Sequence, residues 1–417
     1  MFKLHTKKVT ACYMAVAFVL ALGAGQSFAA ASVTLDEAVS LALQNNPSLQ
    51  ASSRAIGISE GERRQAGLIP NPELSWEMED TRSSTRTTTV QISQPIELGG
   101  KRAARIELAE RGMSSTAIEQ EQVRNELRAG VIQAFHGALQ ARMQLELAEK
   151  SQLLSERGVA VVESLVKAGK ASQLEVSRAR LLDEEVRLET RRARNQYSNA
   201  LAQLQLVMGT SPGNGELTLT GEVSEMPGIP LESELLRRLE GVAQMRLAKV
   251  EIERQDAGIV VEKSLRVPDL TVSLGSQYSS EDRERINLVG LSMPIPLFDR
   301  NQGNLLAANR RADQARDLRN ATELRLRGEV QQALLQWGAA SDAIAGFEGK
   351  LLDSADAALE STTRGFQMGK FAFIDVLDAQ RTLIDVRTRY LQSLSEALDA
   401  WVRLERIYGD LAVSGAY

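Results

Sequence analysis

Asp375 and Asp378 lie three positions apart. On a helix that spacing puts both carboxylates on one face. Such a pair attracts cations, or serves only to complement the positive end of the helix dipole just after a turn. At the matching positions 200 residues earlier stand Glu175 and Arg178, so only the later site is doubly acidic. Other chemistry is scarce, because the histidines are His5 and His136 and the single cysteine is Cys12. His136 falls within an apolar helical pattern and reads as a packing residue. Tight zinc or cobalt sites use His and Cys ligands, so no high-affinity metal site is expected from one chain. Gly169-Lys170-Ala171-Ser172 hints at a phosphate loop, but Ser164 stands where its first glycine belongs and the surroundings are helical. No nucleophile, base and orienting group can be assembled. The chain therefore reads as a non-enzyme that needs no cofactor.

The elements that carry these residues occur twice. Gly169-Lys170, Glu175-Val176 and Glu185-Val186-Arg187 recur as Gly369-Lys370, Asp375-Val376 and Asp385-Val386-Arg387, all at an interval of 200. Pro72-Glu73-Leu74 answers Pro268-Asp269-Leu270 at 196, and Gln91 to Ile96 answers Gly290 to Ile295 at 199. So long a period is no solenoid repeat; it implies two copies of one large module.

Proline marks where helices cannot run. The ten prolines leave Ile96 to Ser211 and Leu297 to the C-terminus free. In the first stretch, Leu108, Val123, Leu127, Val131, Phe135 and Leu139 recur at helical spacing, and Leu165, Leu174, Leu181 and Leu188 continue the pattern around Gly169. A helix from Lys101 to Ala168 would be about 100 Å long and would bury its stripe by coiled-coil packing. The second copy predicts Gly303 to Met368 ascending and Phe373 to Tyr408 returning. Gly169 and Gly369 are the expected hairpin tips, because glycine closes helices in the left-handed conformation.

Before each hairpin come two alternating segments. Leu74, Trp76 and Met78 alternate with acids and Ser75; Val90 and Ile92 alternate with Thr89, Gln91 and Ser93. Leu270, Val272 and Leu274, then Val289, Leu291 and Met293, repeat the pattern. Period-two alternation means strands with one apolar and one polar face. Ile286 and Leu288 fall on the opposite parity, which predicts a bulge or an early strand end there. Thr81 to Arg86 and Ser279 to Arg285 read as polar hairpin loops. Four strands cannot close a membrane barrel, so either several chains pool their strands or the sheet is soluble and packs on a helix. Trp76 suits an interfacial aromatic belt or an ordinary sheet.

At the N-terminus, Lys3, Lys7 and Lys8 precede an apolar run from Val9 to Leu22, followed by Ala29-Ala30-Ala31. Residues 1–31 read as a secretory signal peptide, which would remove Cys12. A net charge of −5 argues against a nucleic-acid partner.

Four strings bring a family into view: Leu35-Asp36-Glu37-Ala38 with Asn45-Asn46-Pro47, Gln94 to Arg102, Pro294 to Gly303, and Ile374 to Ala379. In this order and duplicated, the chain resembles the TolC-type outer-membrane efflux channels, and most resembles the outer-membrane component of cobalt-zinc-cadmium resistance-nodulation-division systems. The resemblance implies a mainly α fold with a small β part. Residues 32–209 and 231–417 would be two efflux repeats joined by a linker at 210–230. It implies a homotrimer in the cell outer membrane, with four strands per chain in a shared twelve-stranded barrel. Long helical hairpins would form a periplasmic tunnel, with a periplasmic membrane-fusion adaptor and an inner-membrane proton-driven pump as partners. The channel itself would be passive, carrying divalent heavy-metal cations; drugs or secreted proteins are the alternative cargo, and a pore-free periplasmic coiled-coil adaptor is the alternative class.

The resemblance also assigns residues. Asp375 and Asp378 would form an acidic, cation-selective ring at the periplasmic constriction, with Glu175 as the first-copy counterpart of Asp375. Some members hold the tip closed through a Tyr and an Arg, but Phe366 and Phe371 occupy those positions here, so an apolar cluster with Phe373 would close it instead. Gly169, Lys170, Gly369 and Lys370 would meet the adaptor. The gate is thus expected to be asymmetric, built on the second tip.

Overall fold

The structure is a computed structural model that describes residues 32–211, 217–221 and 228–411. The expected signal peptide and part of the expected linker lie outside the described residues.

In chain order the elements are β1 (Ser32–Val33), α1 (Leu35–Asn45), α2 (Pro47–Ala66), β2 (Glu73–Glu79), β3 (Thr87–Ile96), α3 (Lys101–Lys167), α4 (Gln173–Val207) and β4 (Thr218–Leu219). There follow α5 (Glu232–Arg238), α6 (Ala243–Ser264), β5 (Leu270–Ser279), β6 (Glu284–Ser292), α7 (Gln302–Gly346), a π-helical turn (Phe347–Leu351), α8 (Leu352–Gln367) and α9 (Phe373–Tyr408). The 67-residue α3 is the spine. It packs on α4, α6, α9 and α2, while α7 packs on α6 and α9, and α8 on α9. The core sits at the waist of this helical layer. There Ile132 of α3, Leu326 and Val330 of α7 and Trp401 and Leu404 of α9 close around the short α5; Phe135, Leu139 and Leu204 close around α1.

The sequence strings have structural causes. Thr34 and Glu37 form a capping box, with Glu37 Oε2 accepting the Thr34 N–H at 2.9 Å and Thr34 Oγ1 accepting the Glu37 N–H at 3.4 Å. That contact holds the Glu37 carboxyl below its ordinary range. Asn46 caps α2 and donates from Nδ2 to the Val207 carbonyl at 2.9 Å, which ties the start of the module to the end of its first hairpin. In the Glu97 to Arg102 string, Glu97 pairs with Arg105. The Leu98 N–H (3.2 Å) and Lys101 Nζ (2.6 Å) both donate to Asp269.

The two copies are close but unequal. The sheet runs β2-β3-β5-β6, antiparallel throughout. Glu73 pairs with Ser93 and Thr271 with Ser292. Since Ser93 and Ser292 correspond at 199, Glu73 corresponds to Thr271, and α2 and α6 likewise end at Ala66 and Ser264. The lead-in to the strands therefore repeats at 198, which corrects the 196 read from the Pro-Glu-Leu and Pro-Asp-Leu strings. No bulge occurs at Leu288 either: it pairs in register with Gly275. Gly275 lies close on β3 instead, where an added Cβ would sit 2.9 Å from the Val90 carbonyl oxygen. In the long helices, buried Val131 and Val330 correspond at 199 and the tips at 200. The extra residue is absorbed by the π-helical turn, which α3 lacks. The second ascending stretch, expected as one helix from Gly303 to Met368, is thus two helices and a turn.

Candidate functional site

Both tips close in the same way. After α3, the Gly169 N–H donates to the Val166 carbonyl and the Lys170 N–H to the Leu165 carbonyl, both at 2.9 Å. After α8, Gly369 bonds Phe366 (2.9 Å) and Lys370 bonds Gly365 (2.8 Å). These are Schellman motifs, and Gly169 and Gly369 take φ of 70° and 72°, which glycine alone adopts freely. Lys170 and Lys370 are exposed beside them.

The descending helices start alike too. The Ser172 N–H donates to Glu175 Oε2 at 3.4 Å, and the Ala372 N–H donates to Asp375 Oδ2 at 2.8 Å. Each acid therefore caps its own helix. Asp375 and Asp378 are both exposed, so the pair remains free to face ions while one oxygen of Asp375 is engaged.

The phenylalanines divide. Phe366 and Phe373 meet with ring centroids 5.4 Å apart and pack on Val162, Val176 and Ala179 of the first hairpin. Phe373 lies so close to Gly158 of α3 that an added Cβ there would sit 2.6 Å from the ring. Phe371 stands apart from this cluster, half-exposed, its ring over Gly365. The contact that joins the two hairpins near the tip is therefore the Phe366 and Phe373 pair against Val162, Val176 and Ala179, with Gly158 as a partner that the sequence reading missed. A Gly in a long helix opposite a Phe was its only signal.

Above the tip, a cleft of about 470 Å³ lies between α4 and α9, with Glu185, Glu189 and Arg192 on one side and Arg381 and Thr388 on the other. Further up, His136 is buried beside Phe135, edge to face at 6.0 Å. Burial pushes its imidazole below the ordinary range, which keeps it neutral and suits a packing role. Among the described residues, no group of three or more His, Cys, Asp or Glu side chains is placed to hold a metal ion.

At the other end, the sheet presents Leu74, Trp76, Val90, Ile92, Leu274, Val289 and Leu291 on one face, all exposed, Trp76 at 64% and Val289 at 77%. Glu77, Thr89, Gln91, Ser93 and Ser273 take the other. Among the described residues no helix packs on the apolar face, in contrast to the arrangement expected for a soluble sheet on a helix. Among the described residues, β2 and β6 each have one unpaired edge. No described helix is long and apolar enough to cross a membrane.

An open amphipathic sheet on paired hairpins, all duplicated, is the build of an outer-membrane channel. The chain belongs to the outer membrane efflux protein family, whose model matches residues 38–210 and again 237–410. It is 38% identical over 382 residues to the cobalt-zinc-cadmium resistance protein CzcC of Cupriavidus metallidurans, covering 91% of each chain. It is 26% identical over 301 residues to the nickel and cobalt resistance protein CnrC of the same organism, covering 70% of each. Its fold is that of the crystal structures of CusC (TM-score 0.75, 21% identity, 90% of this chain and 91% of that one) and of the Vibrio cholerae outer membrane protein VceC (TM-score 0.72, 20% identity, 89% and 94%). The chain is thus a TolC-like efflux channel of the outer membrane, not an enzyme, and the pore-free adaptor alternative is set aside.

Proposed function

We propose that three copies pool their strands into a twelve-stranded barrel and their hairpins into a periplasmic tunnel. This assembly would be the passive exit of a proton-driven efflux complex for divalent heavy-metal cations. The observation that carries the pore is the uncovered sheet: its apolar face suits lipid, and an open strand edge in lipid would leave backbone groups unsatisfied unless another chain supplies the next strand. Leu174, Leu181 and Leu188, exposed at heptad spacing along α4, offer neighbouring copies a coiled-coil seam. Asp375 and Asp378 would line the constriction as rings that concentrate cations, Phe366 and Phe373 would tie it shut, and the tips at Gly169, Lys170, Gly369 and Lys370 would receive the adaptor. The cargo rests on the likeness to a cobalt-zinc-cadmium resistance protein.

A strain lacking the gene should become sensitive to cobalt, zinc or cadmium and recover when the gene is restored. Sensitivity to drugs alone would overturn the metal assignment and leave the channel standing.

A further inference from the structure

Within the chain, the segment leaving β3 is held by the lead-in to β5. Lys101 Nζ and the Leu98 N–H converge on Asp269, and Gly99 approaches Val267 so closely that an added Cβ would lie 2.7 Å from the Val267 Cβ. The first exit thus docks on the second lead-in. Duplication supplies another exit, residues 293–301 between β6 and α7, and another lead-in, residues 67–72 between α2 and β2.

Both leave apolar side chains uncovered, although Gln94, Arg102 and Arg105 donate to the Pro70, Gly67 and Leu68 carbonyls of this lead-in and Asn301 at the end of this exit donates to Glu262. In the second exit Phe298 is 91% and Ile295 76% exposed, and Leu297 is exposed between them; in the first lead-in Ile69 is 67% exposed, with Leu68 exposed beside it. The described residues hold no ion-pair partner for the Arg300 guanidinium or the Glu73 carboxylate. Counted from the strands their positions correspond to the occupied contact, although α7 starts at Gln302, two residues later than that interval would put it. Arg300 follows Lys101 by 199 positions, while Asn71 and Glu73 precede Asp269 and Thr271 by 198. Lys101, Asp269 and Thr271 line one cleft, whose other wall is Pro294 to Asn301 of the second exit. One chain cannot join these two segments to each other, because the exit follows β6 and the lead-in precedes β2, at opposite edges of the sheet.

We propose that the second exit of one copy docks on the first lead-in of the next. Leu297 and Phe298 pack on Leu68 and Ile69 of the next copy, and Arg300 reaches its Asn71 and Glu73. The contact is heterologous, joining unlike surfaces head to tail, and closes a ring when its rotation does. It rests on the trimeric reading above and names the surface that sets the spacing between chains where barrel meets tunnel.

The test uses the full chain in detergent and in membranes. With Cys12→Ala as background, Phe298→Cys with Ile69→Cys should oxidise to covalent dimers and trimers, and either cysteine alone should stay monomeric on denaturing gels. Arg300→Glu or Glu73→Arg should each lower the temperature at which the native oligomer dissociates, and the two together should restore it. Native trimers with neither cross-linking nor charge rescue would overturn the contact while sparing the channel. Labelling of Phe298→Cys by a lipid-phase maleimide would likewise place the segment against lipid and overturn it. Absence of any oligomer would remove the trimeric reading and this contact together.

Discussion

At the residue scale, the acids at the second tip serve two ends. Asp375 caps α9 through the Ala372 N–H with one oxygen, and the residue stays exposed. Capping and cation attraction are therefore compatible in one side chain, and the two readings of the pair do not compete. Asparagine separates them, since its amide oxygen can still cap. Asp375→Asn with Asp378→Asn should leave folding nearly unchanged, yet in planar bilayers shift the reversal potential toward anions and abolish block by multivalent cations. Alanine at Asp375 should add the loss of one hydrogen bond, about 1 kcal/mol. Unchanged reversal potentials in the asparagine pair would remove the acids from the selectivity mechanism. The sequence made the pair visible by its spacing alone. It could not show that Phe371 turns away onto Gly365 while Phe373 reaches Gly158, because that depends on how the hairpins cross.

At the element scale, the hairpins were legible because proline, glycine and apolar periodicity all agree on where helices run. Their inequality was not. A one-residue difference between copies leaves the apolar stripe intact on either side, and only the backbone reveals the turn at Phe347–Leu351 that takes it up. Copy one has Thr190 Oγ1 donating to the Ala148 carbonyl at 3.2 Å. Copy two has Tyr390, whose hydroxyl donates to Glu348 at 2.7 Å and whose ring meets Phe347. Burial and the Glu348 carboxylate push this phenol up to about 12, so it stays a donor throughout the physiological range. Tyr390→Phe should cost roughly 0.5–1.5 kcal/mol and speed amide exchange in residues 347–351 while leaving residues 147–151 of α3 protected. Equal protection of both segments in the variant would mean that the turn is held by packing alone. The sheet teaches the converse lesson: the parity of Leu288 predicted a bulge or an early strand end, and the ladder runs through Leu288 in register with neither.

At the scale of the whole molecule, the sequence left one question open that the single chain answers by what it leaves uncovered. Four amphipathic strands were readable from alternation, but whether a helix would roof their apolar face depends on tertiary packing, and among the described residues none does. The three tryptophans sit in two environments: Trp401 is buried in the waist with Trp337 packed against it, and Trp76 stands exposed on the sheet. A protein that inserts this sheet in a bilayer exposes only Trp76 to acyl chains, where the amphipathic indole is favoured at the interface. In vesicles made with brominated acyl chains, tryptophan emission should be partly quenched, and Trp76→Phe should remove most of that quenching while leaving the emission of the waist intact. Quenching that survives the substitution would place lipid against the helices. No quenching in either protein would mean that the apolar face is covered by something other than a membrane.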